Sequence, residues 1–251
     1  MMLRLALSLL AFGLAAAAAQ AQGGGAGAPA SRPVVIELFT SQGCSSCPPA
    51  DAFLGELAKR PDVLALGFHV DYWDYIGWKD PYASKLATQR QRLYARAFDL
   101  PYVYTPQIVV NGEAQAVGSE RGDVENALKR IAAHPPAGPS LDLALERDGT
   151  LAVRIGAGKE ESATVWLACF DREHKTPVAR GENAGSTLTN YRVVRHFEAI
   201  GNWKGAALDL KVPAAEMAEY VERPDQGVAV VVQRGEVGPV LAAAVLASAR
   251  Q

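Results

Sequence analysis

Hydrophobic residues follow two different patterns along this chain. Up to residue 133, short apolar runs alternate with segments whose apolar residues recur at the spacing of one helix face. Beyond residue 140, short runs of alternating polar and apolar residues dominate, with few helical segments between them. The first part predicts strands at 34–40, 63–70 and 107–110, and helices at 48–59, 82–98 and 123–132.

The order of these elements predicts an α/β domain over residues 34–134. Strand, helix, strand and helix in succession imply a parallel pair of strands. Asn111 and Gly112 then form a two-residue hairpin signal, so we expect 113–117 to return as an antiparallel strand. The predicted domain is a mixed sheet flanked by helices.

A proline-rich stretch at 135–140 is expected to be a linker between two domains. Residues 141–251 then form a separate, mainly β domain with a sandwich-like arrangement. Its predicted strands lie at 141–146, 151–155, 164–170, 207–212 and 228–233.

The N-terminus has the pattern of an export signal. Arg4 precedes an apolar run at 5–14, and the small residues Ala19 and Ala21 form a cleavage site, which predicts a signal peptide at 1–21. The apolar run is short for an uncleaved membrane anchor. Residues 22–33, rich in Gly, Ala and Pro, are expected to be a flexible leader. We expect a periplasmic or secreted protein with no stable membrane span after signal removal.

Composition narrows the classes of partner. The chain has 251 residues, 49% of them hydrophobic, and a formal net charge of −2, so it offers no positive field for nucleic acid. Its three cysteines cannot all pair within the chain. Disulfides persist outside the cytosol, so in an exported chain two of the cysteines can form either a redox-active or a permanent structural disulfide.

The segment G-C-S-S-C-P-P places Cys44 and Cys47 between a predicted strand and a predicted helix. A helix N-terminus favours the thiolate of the first cysteine, so this position suits a redox-active pair. A zinc half-site would need a second such pair or two nearby histidines, which are missing, so we predict neither a metal site nor a cofactor. A small structural disulfide is the alternative.

Four longer segments carry a family resemblance. They are E-L-F-T-S-Q-G-C-S-S-C-P-P-A-D, H-V-D-Y-W-D-Y-I-G-W-K-D-P, Y-T-P-Q-I-V-V-N-G and R-G-E-N-A-G-S-T-L-T-N-Y. Together they resemble a secreted family catalogued as domain of unknown function 1223. Residues 34–59 and 104–118 resemble the two halves of a thioredoxin fold, which implies that the first domain is thioredoxin-like.

The thioredoxin-like resemblance implies roles for three further residues. It implies a cis bond at Thr105–Pro106, with both residues facing the cysteines and Pro106 binding the substrate backbone. It also implies a carboxylate beneath the cysteines that accepts a proton, and Glu37 is nearest to that place, one residue out of register. Without the resemblance, Pro106 is a proline at the start of a strand, a position that strands tolerate.

An aromatic and acidic segment at 71–80 follows the second predicted strand. Ligands gather at such strand ends in open α/β sheets, so Trp73, Asp74 and Trp78 are candidates for the rim of a substrate groove. The alternative is a packed lid whose acids cap the next helix. His69, inside the preceding apolar strand, is either a satisfied core histidine or a group near the cysteines.

The second half contains two further sets of candidates. Cys169 lies in an apolar predicted strand, where a buried inert thiol is expected and a third redox cysteine is the alternative. A polar, glycine-rich stretch could bind an anion or dock the two domains, and docking is favoured because no phosphate-loop pattern is present. Its members are Arg180, Glu182, Asn183 and Arg195.

Three functions are compatible with these features. In the first, an exported thiol–disulfide oxidoreductase attacks protein or small-molecule disulfides with Cys44 and resolves them with Cys47, which we expect to be the less exposed sulfur. Its partners would be exported thiol or disulfide proteins and an unidentified redox partner. The second is a copper-handling protein that uses both thiolates and His69. The third is a non-catalytic binding module in which the disulfide only holds the loop.

Overall fold

A computed structural model describes residues 32–159, 162–221 and 224–246 of the chain. The predicted signal peptide and most of the predicted leader lie outside these ranges. Within them, no helix is long and apolar enough to cross a membrane.

The predicted elements of the first part are present with small shifts in their bounds. Strands β1 and β2 match their predicted ranges to within one residue, and the predicted hairpin after Asn111 forms β3 and β4. The bounds are β1 Val34–Thr40, α1 Pro48–Leu57, β2 Val63–His69, a short 3-10 helix Asp74–Ile76, α2 Lys85–Ala97, β3 Gln107–Val110, β4 Ala114–Val117 and α3 Arg121–Ala133.

The second part contains the predicted strands and three elements that the sequence did not indicate. These are the 17-residue strand β8, the helix α4 and the last strand β11. The bounds are β5 Leu141–Leu145, β6 Leu151–Ile155, β7 Ala163–Pro177, β8 Thr187–Trp203, β9 Leu208–Val212, α4 Ala214–Val221, β10 Gln226–Arg234 and β11 Val240–Val245.

One mixed sheet of eight strands runs through both parts, in the order β11-β10-β7-β8-β2-β1-β3-β4. Strand β1 pairs in parallel with β2, and β8 joins β2 through a parallel bridge between Gly67 and Val193. The expectation of a separate domain over 141–251 is therefore wrong: four of its strands continue the first sheet, and the described residues form one compact unit. The stretch at 135–140 is a surface loop within that unit.

The sheet is covered on both faces by apolar side chains. Ile36 and Leu38 of β1 pack against α1 and α3, whereas Val35 and Phe39 face α2, because successive strand residues point to opposite sides. A second, three-stranded sheet, β5-β6-β9, packs against the β7–β10 end of the large sheet around a third apolar cluster. The sandwich-like packing expected for the second half thus exists, but it covers one end of a shared sheet.

The junction between the two halves requires two glycines. A methyl group at Gly67 of β2 would lie 2.8 Å from the backbone oxygen of Tyr191 in β8. One at Gly55 of α1 would lie 2.5 Å from the Tyr191 ring. Strand β8 can therefore approach β2 and α1 closely only because neither position carries a side chain.

We expect Gly67→Ala to destabilise the protein, because its neighbour is backbone, which cannot rotate away. Overpacking of this kind costs about 1–3 kcal/mol of unfolding free energy. Urea unfolding should show the loss as a lower midpoint. Gly122→Ala is the matched control: it lies in α3 with open space around it, so it should leave stability unchanged or raise it by about 0.4–1 kcal/mol. Equal midpoints for the two variants would contradict a tight junction.

Candidate functional site

The two cysteines of the CxxC segment form a disulfide at the start of α1. Cys47 is the N-cap of the helix, and its carbonyl oxygen accepts hydrogen bonds from the N–H groups of Ala50 and Asp51, at 2.9 and 3.1 Å. Pro48 is the first residue of the helix. Proline is tolerated there because the N–H groups of the first helical turn have no hydrogen-bond partner within the helix. Residues 41–47, here called the cysteine loop, thus pass directly from the end of β1 into the helix.

The loop before β3 faces the cysteines as expected. The Thr105–Pro106 peptide bond is cis, and the Thr105 carbonyl oxygen lies 3.8 Å from the Cys44 sulfur. The Ser46 hydroxyl donates to the same oxygen at 3.5 Å. The predicted cis bond and its position against the cysteine pair are confirmed.

The aromatic loop, residues 71–80, packs over the site and directs two indole N–H groups at it. The Trp73 indole N–H donates to the Thr105 hydroxyl at 2.7 Å, and that of Trp78 donates to the Gln42 side-chain oxygen at 3.1 Å. Asp74 accepts from the backbone N–H of Asp80. These contacts fit the lid interpretation, although Ser84, not an acid of this loop, caps α2.

The connection between β7 and β8, residues 178–186, lies on the cysteine loop and is called the hairpin tip below. The Asn183 amide donates to the carbonyl oxygens of Gln42 and Cys44, at 2.9 and 3.0 Å. The Glu182 carboxylate accepts from the N–H of Ser45 at 3.1 Å. The sequence predicted a docking role for this stretch, and its target is the cysteine loop.

The other two members of that polar stretch lie apart from the cysteines. The Arg195 guanidinium sits 5.2 Å from the centre of the Tyr82 ring, which is a further contact between the two halves of the chain. Arg180 is exposed on the hairpin tip.

Both sulfur-bearing residues are buried beneath these segments. Cys44 is 1% exposed and Cys47 is 0% exposed. The expectation that Cys44 would be the accessible member of the pair is therefore wrong for the disulfide form. The expectation rested on chain order, because Cys44 precedes the helix. In the structure, the hairpin tip and the Thr105 carbonyl cover Cys44 at that position.

Glu37 is not beneath the cysteines. Strand alternation puts its side chain on the α2 face of β1, opposite the face on which α1 packs. There its carboxylate pairs with the buried Arg90 guanidinium, at 2.9 Å for one of two contacts, and accepts from the Tyr94 hydroxyl. The proposed role of Glu37 as the proton acceptor of the cysteines is therefore corrected by the structure.

A different carboxylate lies on the cysteine side, at Asp51 in the first turn of α1. The Thr40 hydroxyl donates to it at 3.1 Å, and the residue is 4% exposed. Burial raises the pKa of Asp51 to about 7, opposed by the nearby His69 and by the polar side chains of Thr40 and Asn190. The burial of this group was not predicted, because an acid in a helix's first turn is ordinarily solvent-exposed and interacts with the helix dipole.

His69 and Asp80 form a buried pair next to Asp51. The His69 Nδ1 donates to Asp80 at 2.7 Å, and the same carboxylate accepts from the N–H groups of Gln42 and Tyr82, at 2.8 and 2.9 Å. Burial disfavours both charges, but their mutual attraction and these hydrogen bonds outweigh it. The pKa of His69 is consequently raised and that of Asp80 lowered. His69 is thus a core histidine with a satisfied hydrogen bond, and it lies next to the site.

The remaining candidates do not extend the site. Cys169 is buried in the apolar cluster beneath the three-stranded sheet and takes no part in the disulfide. In the described part of the chain, no group of three or more His, Cys, Asp or Glu side chains could hold a metal ion. His69, which the copper hypothesis would use, has Nδ1 bound to Asp80.

Comparison with known proteins gives a family and two structural neighbours. A family described as a protein of unknown function, DUF1223, matches residues 35–233. A crystal structure of an Agrobacterium tumefaciens protein is 33% identical, with a TM-score of 0.76, covering 87% of this chain and 95% of its own. HBP35 of Porphyromonas gingivalis shares the fold at 14% identity and a TM-score of 0.59, covering 88% and 76%. No curated protein sequence matches the chain.

We expect Asn183→Ala to expose the disulfide. The variant loses two hydrogen bonds, each contributing about 0.5–1.5 kcal/mol, so open forms of the cysteine loop should become about 5- to 150-fold more populated. Reduction by a small thiol, followed by labelling of the released cysteines, should accelerate by a similar factor. Asn126→Ala, an exposed asparagine of α3, is the control and should react like the unmodified protein. An unchanged rate in Asn183→Ala would show that the hairpin tip does not limit access.

Proposed function

We propose that this chain, which belongs to the DUF1223 family of proteins of unknown function, is an exported thiol–disulfide oxidoreductase on a thioredoxin-like scaffold. Its substrates are disulfides of exported proteins or small molecules. The proposal includes the periplasmic or secreted location expected from the N-terminal sequence, because disulfides of exported proteins form and persist in oxidising compartments.

One observation carries this proposal: the Cys44–Cys47 disulfide at the N-terminus of α1 lies against the Thr105 carbonyl next to a cis-proline. The helix N-terminus supplies a partial positive charge where a thiolate would form. The loop before β3 supplies backbone groups beside the sulfur, where an extended substrate could pair with them. Strand, CxxC, helix and cis-proline loop in this arrangement support the thioredoxin-like assignment.

The proposed reaction is thiol–disulfide exchange. In the reduced protein, the Cys44 thiolate attacks one sulfur of a substrate disulfide, and the other substrate sulfur leaves as a thiolate. Cys47 then attacks the Cys44 sulfur, which restores the Cys44–Cys47 bond and releases the second substrate sulfur. Two electrons pass from the protein to the substrate, and the reverse sequence oxidises a substrate dithiol. In either direction, the hairpin tip has to move away from Cys44.

The burial of both sulfurs supports a second candidate function. A disulfide covered by the hairpin tip and the aromatic loop has the surroundings of a structural bond, which would hold the cysteine loop in a non-catalytic binding module. The two candidates differ in reduction potential, because structural disulfides of exported proteins resist reduction by the glutathione pool.

We expect Cys47→Ser to trap exported proteins as mixed disulfides, because it removes the thiol that would release them. Cys44→Ser lacks the attacking thiol and should trap none. The measurement is non-reducing electrophoresis of tagged variants recovered from the export compartment, with each band tested for collapse on reduction. Cys169→Ala serves as the control: it removes a cysteine remote from the pair and should behave like the unmodified protein.

A glutathione redox titration of the unmodified protein completes the test. A reversible equilibrium within the glutathione range agrees with oxidoreductase function. If neither variant traps a protein and the disulfide stays oxidised throughout the titration, the oxidoreductase proposal is rejected. The non-catalytic binding module then takes its place.

A further inference from the structure

Two arginines, here called the arginine pair, stand opposite each other where β7 and β8 run antiparallel. Arg172 and Arg192 occupy the position between the paired residues Asp171–Val193 and Glu173–Tyr191. Like charges at opposite positions of neighbouring strands destabilise the pairing. Burial lowers the pKa of Arg192, and the charge of Arg172 lowers it further. The two guanidiniums are therefore close enough to repel each other.

Another strand arginine of the chain has the opposite surroundings. Arg154 of β6 is exposed and stands opposite Asp142 of β5 and Asp209 of β9. Opposite charges at such positions stabilise a sheet. The arginine pair has no acid in this place, so its charge is left for some other group to balance.

The acids that flank Arg172 along β7 interact with other cations. Asp171 contacts the Arg195 guanidinium at 3.7 Å, and Glu173 contacts the Lys175 ammonium at 3.5 Å. Among the described residues, neither member of the arginine pair forms a salt bridge. The two positive charges are therefore not neutralised by a carboxylate of the described chain.

Main-chain carbonyl groups hold both guanidiniums in position. The Arg172 Nε donates to the carbonyl oxygen of Gln226 in β10 at 3.1 Å. An Arg192 Nη donates to the carbonyl oxygen of Ala58 at 3.1 Å, and its guanidinium lies 5.0 Å from the centre of the Phe170 ring. A guanidinium has five N–H donors, and each of these two uses one of them on a described residue. The other donors are held in place and remain available to a ligand.

The end of α1 accounts for only one member of the pair. A cation at a helix C-terminus is stabilising, so Arg192 has a structural role at Ala58, the C-cap of α1. Arg172 is instead anchored to β10, is exposed, and opposes the charge of Arg192. Arg192 also has a left-handed backbone, with φ 52°, which residues other than glycine rarely adopt and which occurs at binding sites more than elsewhere.

We propose that the arginine pair binds an oxyanion, either phosphate itself or the phosphate group of a larger molecule, which bridges the two guanidiniums. Guanidiniums bind phosphate oxygens through pairs of parallel hydrogen bonds, and an anion between them replaces one repulsion by two attractions. The site lies at the C-terminal end of α1, whereas the disulfide lies at its N-terminal end, about 15 Å away along the helix. The proposal is independent of the oxidoreductase function.

The test compares thermal unfolding in phosphate and in chloride of equal ionic strength, for the unmodified protein and for Arg172→Gln. Phosphate at about five times its Kd should raise the Tm of the unmodified protein by about 2–4 °C, and the increase should level off as the site fills. Arg172→Gln should lose this saturable increase. Phosphate also stabilises proteins by exclusion from their surface, but that effect is common to both proteins and does not saturate.

In chloride, the two proteins should differ in the opposite sense. Arg172→Gln removes the repulsion between the arginines, so it should unfold at the same temperature as the unmodified protein or slightly above it. The matched control is Arg154→Gln, which removes an exposed strand arginine whose neighbours are acids. It should keep the full response to phosphate.

Isothermal titration measures the binding directly. Phosphate should occupy one site in the unmodified protein and in Arg154→Gln, and none in Arg172→Gln. Glycerol 3-phosphate is the second probe. Binding at least as tight as that of phosphate agrees with the phosphate group of a larger molecule as the ligand, and weaker binding agrees with the free ion.

Three results would overturn the proposal. The first is an equal phosphate response in Arg172→Gln and the unmodified protein. The second is an equal loss of the response in Arg154→Gln, which would mean that phosphate responds only to overall charge. The third is Arg172→Gln that unfolds at a lower temperature in chloride and keeps the phosphate response, because Arg172 would then have only a structural role.

Discussion

The buried carboxylate of Asp80 holds the cysteine loop in place through a hydrogen bond to its backbone. A buried charge is tolerated only when its hydrogen-bonding capacity is met, and three donors from separate segments converge on this one. They are the N–H of Gln42 in the cysteine loop, His69 at the end of β2, and the N–H of Tyr82 before α2. Gln42 then extends the network, because its side chain bonds to Trp78 and Asn190 and its carbonyl accepts from the hairpin tip. Loss of Asp80 would therefore release the segments that cover the disulfide together.

The sheet buries one network of charged side chains on each face. The two networks differ in the pKa values of their groups. On the α2 face, Glu37 pairs with Arg90, whose guanidinium stays protonated at any physiological pH, so this network is static. It also reaches Gln233 of β10 and thereby ties the two halves of the sheet together. On the α1 face, burial raises the pKa of Asp51 to about 7, and the neighbouring Asp80 raises the pKa of His69. Only the second network lies on the side of the cysteines.

Sequence patterns predicted the elements of the first half well, because strong apolar runs and the Asn111-Gly112 turn are local signals. They missed β8, whose apolar residues are interrupted by Asn190, Arg192 and Arg195, with bulges in its pairing to β7. Without β8, nothing showed that the second half continues the sheet. The face to which a strand residue points could not be predicted either: Glu37 was expected beneath the cysteines, but its side chain points away from α1. Asp51 carried no local signal, since its burial depends on β1, β2 and β8 together.

The long β7–β8 hairpin explains how the second half of the chain comes to cover the disulfide. Its strands, 15 and 17 residues long, pair as far as Pro177 and Thr187, so a continuous ladder carries the tip to the cysteine loop. The tip itself holds the loop through three hydrogen bonds from Glu182 and Asn183. Breaking these bonds leaves the ladder intact, so uncovering Cys44 is a local opening whose free energy is far below that of unfolding. The second half thereby contributes to the site itself: its sheet holds the hairpin tip against the cysteine loop.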